Sequence, residues 1–320
     1  RVCIPVVGVV MRRAAHGRRS AIRLLLPLLY AQIGGLLWVT SVPAEARIIH
    51  KERSLYSTIL INQRGSVVCL QFSVRRDQRN QSCFDQRKPD KMVFIYARMM
   101  MASLLLQPQP ERILMIGLGG GTLPLALDKL FPQATQDVVE IDEAVVRVAR
   151  DYFGFAPSDR VQVFAQDGRV FVKRALQRGE KYDLVMLDAF NGDYIPEHLM
   201  TREFLEEVKA LLTPDGVLAA NTFSISRLYD HESVTYANVF GTFFNLTNPS
   251  TGNRIVLASP VELPAPEMLR ANAETLAARL KPYGISMREL LPMIRESEDW
   301  DSDARELTDQ FAPANLLQSQ

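Results

Sequence analysis

Between residues 112 and 220, short apolar runs alternate with amphipathic stretches without a break, and this alternation restricts the fold more than any other property of the chain. The runs 112–116, 137–141, 161–164, 183–187 and 217–220 have the length and apolarity of strands buried on both faces. Between them, 123–130, 143–152, 169–178 and 201–212 carry apolar residues at helical period. A strand that is always followed by a helix rejoins its sheet in parallel through a right-handed crossover, and the helices cover both faces. The expectation is an α/β, Rossmann-like fold built on a parallel sheet.

The flanks read differently. From 48 to about 84, β-rich runs such as 57–61 and 66–70 are broken by Gly65 and by the polar turn Arg75-Arg76-Asp77-Gln78-Arg79-Asn80, which reads as a small antiparallel unit. Residues 92–106 are apolar at helical spacing and stop before Pro108 and Pro110. A hairpin-like pair, 243–246 and 254–258, follows the alternating region, and the stretch from Pro264 is helical and charged. The chain of 320 residues therefore divides into 1–46, a targeting segment; 47–106, a β unit with a connecting helix; 107–262, the nucleotide-binding domain; and 263–320, a helical extension.

Charge is nearly balanced, with 37 Lys and Arg against 36 Asp and Glu, so no basic field points to nucleic acid as a partner. The imbalance is local. Arg12, Arg13, Arg18, Arg19 and Arg23 precede the apolar run 24–42, which ends in Ala44-Glu45-Ala46. Basic, apolar and A-x-A segments in that order make a secretory signal. An uncleaved anchor that keeps the chain on the membrane is the rival, although Pro27, Gln32, Gly34 and Gly35 weaken a spanning helix. The expected location is exported, periplasmic or held at the inner membrane, with the cytoplasm left open. Cleavage after Ala46 would leave two cysteines, Cys69 and Cys83, flanking the polar turn. Opposition in a hairpin and two unrelated buried thiols both remain open.

The residues able to do chemistry cluster at strand ends. The first alternating strand runs into Gly117-Leu118-Gly119-Gly120-Gly121 and then a helix. Gly117, Gly119 and Gly121 allow a tight turn and close approach of a ligand to the helix N-terminus. The third glycine of a dinucleotide fingerprint is replaced by Thr122, which argues against NAD. Glu140, in Val139-Glu140-Ile141-Asp142, stands where a carboxylate accepts both hydroxyls of a ribose. In Gln166-Asp167-Gly168, Asp167 stands where it can accept from the exocyclic amine of adenine, with Gly168 beside it; a plain helix cap is the alternative for Asp167. Asp188, at the end of the fourth strand in Leu187-Asp188-Ala189-Phe190-Asn191-Gly192-Asp193, faces the same crevice as a base or as the partner of a cation, or is a structural Asp bonded to its loop. Open α/β sheets bind ligands along this edge, so the order of glycine turn and acids reads as an adenosine pocket. No metal-ligand pattern occurs with them.

Together these motifs resemble the spermidine synthase (polyamine aminopropyltransferase) family over roughly 48–260, and within it the divergent bacterial spermidine-synthase-like branch. Tyr96 and Met99, the glycine turn, Val139 to Glu143, Tyr182-Asp183-Leu184-Val185-Met186-Leu187-Asp188, Leu199-Met200-Thr201-Arg202-Glu203-Phe204 and the tail Leu307-Thr308-Asp309-Gln310-Phe311-Ala312-Pro313 carry the likeness. The resemblance implies a sheet of the S-adenosylmethionine-dependent methyltransferase type. It implies decarboxylated S-adenosylmethionine as donor, a small amine as acceptor, Glu140 on the ribose, Asp167 on the adenine edge, Tyr96 at the acceptor and Asp188 as the base. A homodimer is compatible with it. Three departures lie at acidic positions of the family: Thr122 replaces an Asp of the glycine loop that holds the donor's amino end, Asn191 a second Asp of the catalytic loop, and Ala97-Arg98 a His-Glu pair. Asp193 is the candidate replacement. Two other functions therefore stay open: methyl transfer from intact S-adenosylmethionine, and a non-catalytic nucleoside-binding or scaffold protein, which an exported location would favour.

Overall fold

The computed structural model describes residues 46–72, 80–190, 195–296 and 298–312. The proposed signal segment up to Glu45, most of the polar turn, Asn191 and Asp193 lie outside them. β1 (Arg47–Arg53), β2 (Thr58–Arg64), β3 (Val67–Phe72) and β4 (Asn80–Asp85) form an antiparallel sheet in sequential order. Its Ile59, Ile61, Val68 and Leu70 pack on Ala144, Val145, Val148 and Phe153 of a helix of the main layer. Cys69 sits opposite Cys83 in the β3–β4 register, and the two are bridged with Cα atoms 4.1 Å apart.

The apolar stretch that follows is α1 (Ile95–Met100), continued by a 3-10 turn over Met101–Leu105. The alternation is realised as β5 (Arg112–Ile116), α2 (Thr122–Leu130), β6 (Thr135–Glu140), α3 (Glu143–Phe153), β7 (Val161–Ala165), α4 (Gly168–Gln177) and β8 (Tyr182–Leu187). α5 (Arg202–Leu211), β9 (Leu212–Phe223), α6 (Tyr229–Phe240), β10 (Phe244–Thr247) and β11 (Asn253–Ala258) come next. The sequence pattern alone predicts no element over α6. α7 (Pro266–Leu280), α8 (Met287–Leu290) and β12 (Ile294–Arg295) close the described chain.

The main sheet has the order β12-β10-β11-β9-β8-β5-β6-β7. β9, β8, β5, β6 and β7 are parallel, and β11, β10 and β12 are added antiparallel at one side. Period-two alternation sends Ile113 and Met115 of β5 to one core, with α2 and α7, and Leu114 and Ile116 to the other, with α4, α5 and α6. Covering both faces is what makes the strand runs continuously apolar. The extension from 263 is thus tied to the sheet: Leu269, Ala273, Leu276 and Leu280 of α7 are core residues, and β12 pairs with β10. Among the described residues no helix is long and apolar enough to cross a membrane.

The topology fixes where a ligand can sit. The chain goes from β5 outward to β6 and β7, then returns to β8 on the other side of β5. Strand order reverses between β5 and β8, and the loops at their carboxyl ends part there to leave a crevice.

Candidate active site

A cleft of about 820 Å³ opens at that reversal and is lined by Gly117, Gly119, Glu140, Asp167, Gly168, Asp188 and Tyr96. A larger depression of about 1560 Å³ runs along β7 past Arg160 and Arg174, and among these site residues it holds none. The sequence-derived residues therefore converge on the smaller cavity, apart from Gly121 and Asp193: Gly121 forms the turn behind it, and Asp193 is outside the described residues.

Two of the glycines are required by geometry. Gly117 has φ +98°, and a Cβ there would lie 2.3 Å from the carbonyl oxygen of Asp188, so the first strand end and the fourth touch through their backbones. Gly121 has φ +76° as the N-cap of α2, and a Cβ would press on the Phe155 ring at 2.9 Å.

Glu140 is held by the backbone. Its Oε2 accepts from Leu118 N–H at 3.0 Å and its Oε1 from Asp142 N–H at 3.0 Å. Burial raises its pKa above the usual carboxylate range, and those N–H groups oppose the rise. Each carboxylate oxygen has a second acceptor direction, so the residue can still take two hydroxyls. It is not a surface acid.

Asp167 plays the part of a helix cap and also reaches the cleft. Its Oδ1 accepts from Val170 N–H at 2.9 Å at the start of α4, and its Oδ2 pairs with His198 Nε2 at 2.8 Å. That pairing holds its carboxyl below the usual range. His198 follows the loop after β8, and no local pattern in the sequence ties it to an acid 31 positions away.

Asp188 lies between three elements. Oδ1 accepts from Asn221 Nδ2 at 2.8 Å on β9, and Oδ2 from the Tyr96 hydroxyl at 3.4 Å on α1. Burial pushes its carboxyl up to about 7; the charge of Glu140 adds to this, while the bonds from Asn221 and Tyr96 oppose it. Burial, then the charge of Asp188, lifts the Tyr96 phenol well above its ordinary value, so Tyr96 keeps its proton. Arg98 turns away, donating to the carbonyls of Phe94 and Val93 at 3.4 Å each. It does not line the cleft. Thr122 does, with its hydroxyl 3.4 Å from that of Ser82. The remaining lining includes the aromatic rings of Tyr56, Phe72, Phe94, Phe190 and Phe223.

Residues 93–251 match the family model described as Spermine/spermidine synthase domain. Over 292 residues the chain is 49% identical to the polyamine aminopropyltransferase of Vibrio vulnificus, a match covering 91% of this chain and 97% of that one. The chain belongs to the polyamine aminopropyltransferase, or spermidine synthase, family. Among solved structures, a probable spermidine synthase from Corynebacterium glutamicum aligns with a TM-score of 0.61 at 20% identity, covering 81% of this chain and 99% of that one, a likeness of fold. Human Methyltransferase-like protein 13 in complex with SAH aligns with a TM-score of 0.54 at 27% identity, covering 69% of this chain and 99% of that one. The aminopropyltransferase family is thus the one to which the strand-end motifs point, and its members share the methyltransferase-type sheet.

Proposed function

We propose that this aminopropyltransferase-family chain transfers the aminopropyl group of decarboxylated S-adenosylmethionine to a small amine, with Asp188 as the base. The observation that carries the reading is the place of Asp188, part-buried at the end of β8 on the same cleft as Glu140 and bonded by Asn221 and Tyr96, where burial pushes its carboxyl up to about 7. A base of that strength is available near neutrality yet strong enough to take a proton from an amine in the transition state. Glu140 would accept the ribose hydroxyls, and the Gly117–Gly121 turn would pass close to the donor. Asp167 would meet the adenine edge with the oxygen now paired to His198. Tyr96 would sit beside the attacking nitrogen, and Asp193 would offset charge on the rest of the acceptor.

In the step itself the acceptor nitrogen yields one proton to Asp188, and its lone pair attacks the carbon next to the sulfonium. The carbon–sulfur bond breaks with its electrons going to sulfur, giving methylthioadenosine. Calorimetry with both forms of the donor tests the reading: tight binding of the decarboxylated form over the intact one is expected, and the reverse preference would overturn it.

Methyl transfer is the second reading, favoured by Thr122. A glycine loop without an acid tolerates a donor that keeps its carboxylate, and the intact donor's preference in that titration would select it.

A further inference from the structure

Asp188 is the inner end of a line of side chains that reaches the β10–β11 turn. The Thr251 hydroxyl donates to Asn253 Oδ1 at 2.6 Å, Asn253 Nδ2 donates to Asn221 Oδ1 at 3.0 Å, and Asn221 Nδ2 donates to Asp188 Oδ1 at 2.8 Å. Every member donates in the same direction. The polarity is set from both ends. Outside, the backbone N–H of Asn253 can only donate, and it does so to Thr251 Oγ1 at 3.3 Å, which directs the hydroxyl hydrogen onward. Inside, an ionised carboxylate can only accept, so Asn221 must show it an N–H. The turn is pinned as well: Ser224 N–H donates to Gly252 O at 2.9 Å, and Ser250 N–H to Asn248 Oδ1 at 2.8 Å. Bonds aligned head to tail polarise one another, so the line acts on Asp188 as a unit.

The other oxygen of Asp188 meets a different partner. Tyr96 has one hydroxyl hydrogen and two acceptors, Asp188 Oδ2 at 3.4 Å and the carbonyl of Gln81 at 3.5 Å. When Asp188 gains a proton on Oδ2, the Tyr96 hydrogen can swing to Gln81 and its oxygen can accept from the new O–H.

We propose that Thr251, Asn253 and Asn221 are positioning residues that hold Asp188 Oδ1 as a standing acceptor and so reserve Oδ2, beside Tyr96, for the proton taken from the acceptor. This rests on the base role given to Asp188 above. The acceptor ammonium gives its proton to Oδ2, and the freed nitrogen pair attacks the carbon beside sulfur. The carbon–sulfur electrons go to sulfur, and Asp188 later returns the proton to solvent. Among the described residues, the titratable groups that act on Asp188 are Glu140 from β6 and Tyr96 from α1. The amide line is uncharged, and reversing it is a test that leaves both of them in place.

Asn253→Asp does this. A carboxylate cannot donate to Asn221, so the Asn221 amide turns over and shows its oxygen to Asp188, which favours the protonated carboxyl. Carbon-13 NMR of labelled Asp carboxyls, assigned with Asp188→Asn, should place the Asp188 midpoint higher in Asn253→Asp by about one pH unit or more. Transfer near neutral pH should fall about tenfold through kcat, with the acid limb of the pH profile moved by the same amount. Thr251→Val should shift the midpoint in the same direction by less, and Thr251→Ser, which keeps the hydroxyl, should bring it back. The new carboxylate in Asn253→Asp also raises Asp188 by its charge, so the charge-free Thr251→Val arm decides: an unmoved Asp188 midpoint in folded Thr251→Val, judged by its thermal transition, overturns the proposal. Because the NMR midpoint needs no turnover, absence of aminopropyl transfer in the parent would reject the functional reading while still deciding the role of the line.

Discussion

Glu140 carries two backbone N–H groups before any ligand arrives, so its charge has a structural duty as well as the proposed one. Glu140→Gln would turn an amide NH2 toward one of those donors, and leaving a buried N–H unpaired costs about 1–3 kcal/mol. Calorimetry should therefore show methylthioadenosine binding weakened about tenfold or more, and the melting temperature should drop as well. Parent-like affinity would remove Glu140 from the ribose. Asp188→Asn should spare nucleoside binding and abolish transfer. Its effect on stability has a definite sign. In the folded protein burial lets Asp188 hold its proton up to about 7, against 3.8 for a free Asp carboxyl. The folded state binds the extra proton in that window, so the contribution to stability is complete below about 4 and is lost as pH rises through about 7, by at most about 1.4 kcal/mol per unit. Urea unfolding at pH 5 and pH 8 should show a smaller loss for Asp188→Asn than for the parent. Gly117→Ala should be worse than either, because the Asp188 carbonyl would have to move; a parent-like melting temperature would contradict the strand-end contact.

The β3–β4 ribbon makes the clearest prediction for an element. Bridging Cys69 to Cys83 closes a loop of about 15 residues, which stabilises by about 3 kcal/mol in the chain-entropy model. Reductant, or Cys83→Ser, should lower the denaturation midpoint accordingly, and an unchanged midpoint would argue against the bridge. The same elements show what sequence can and cannot convey. β5, β8, α2 and α3 were legible to within a residue or so, because a buried strand needs an apolar run and a helix on it needs one apolar face. α6 was not, since it packs Glu232, Ser233 and Thr235 inward together with Tyr236 and Val239 and so shows no clean stripe. β1 and β4 are polar sheet edges whose pairing depends on partners rather than on their own residues. The strand-end acids were legible because their positions follow from strand ends. His198 and the Asn221–Asn253 pair were not, because only tertiary structure brings residues 31 and 32 positions apart into contact.

At the scale of the whole molecule, the basic and apolar head with Ala44-Glu45-Ala46 and the bridged cysteine pair point the same way, since disulfides persist in oxidising compartments. We propose that the chain is exported and cleaved after Ala46. Protein recovered from a cell-envelope fraction should begin at Arg47 on N-terminal sequencing, whereas an uncut head in the cytosol would reject cleavage. Export would separate the enzyme from cytoplasmic pools of donor. The decisive measurement is an incubation of purified protein with decarboxylated S-adenosylmethionine and 1,4-diaminobutane, followed by mass spectrometry. We expect methylthioadenosine and the aminopropylated amine in equal amounts from the parent and neither from Asp188→Asn. Formation of neither by the parent, or methylation of the amine from intact S-adenosylmethionine instead, would contradict aminopropyl transfer with Asp188 as its base.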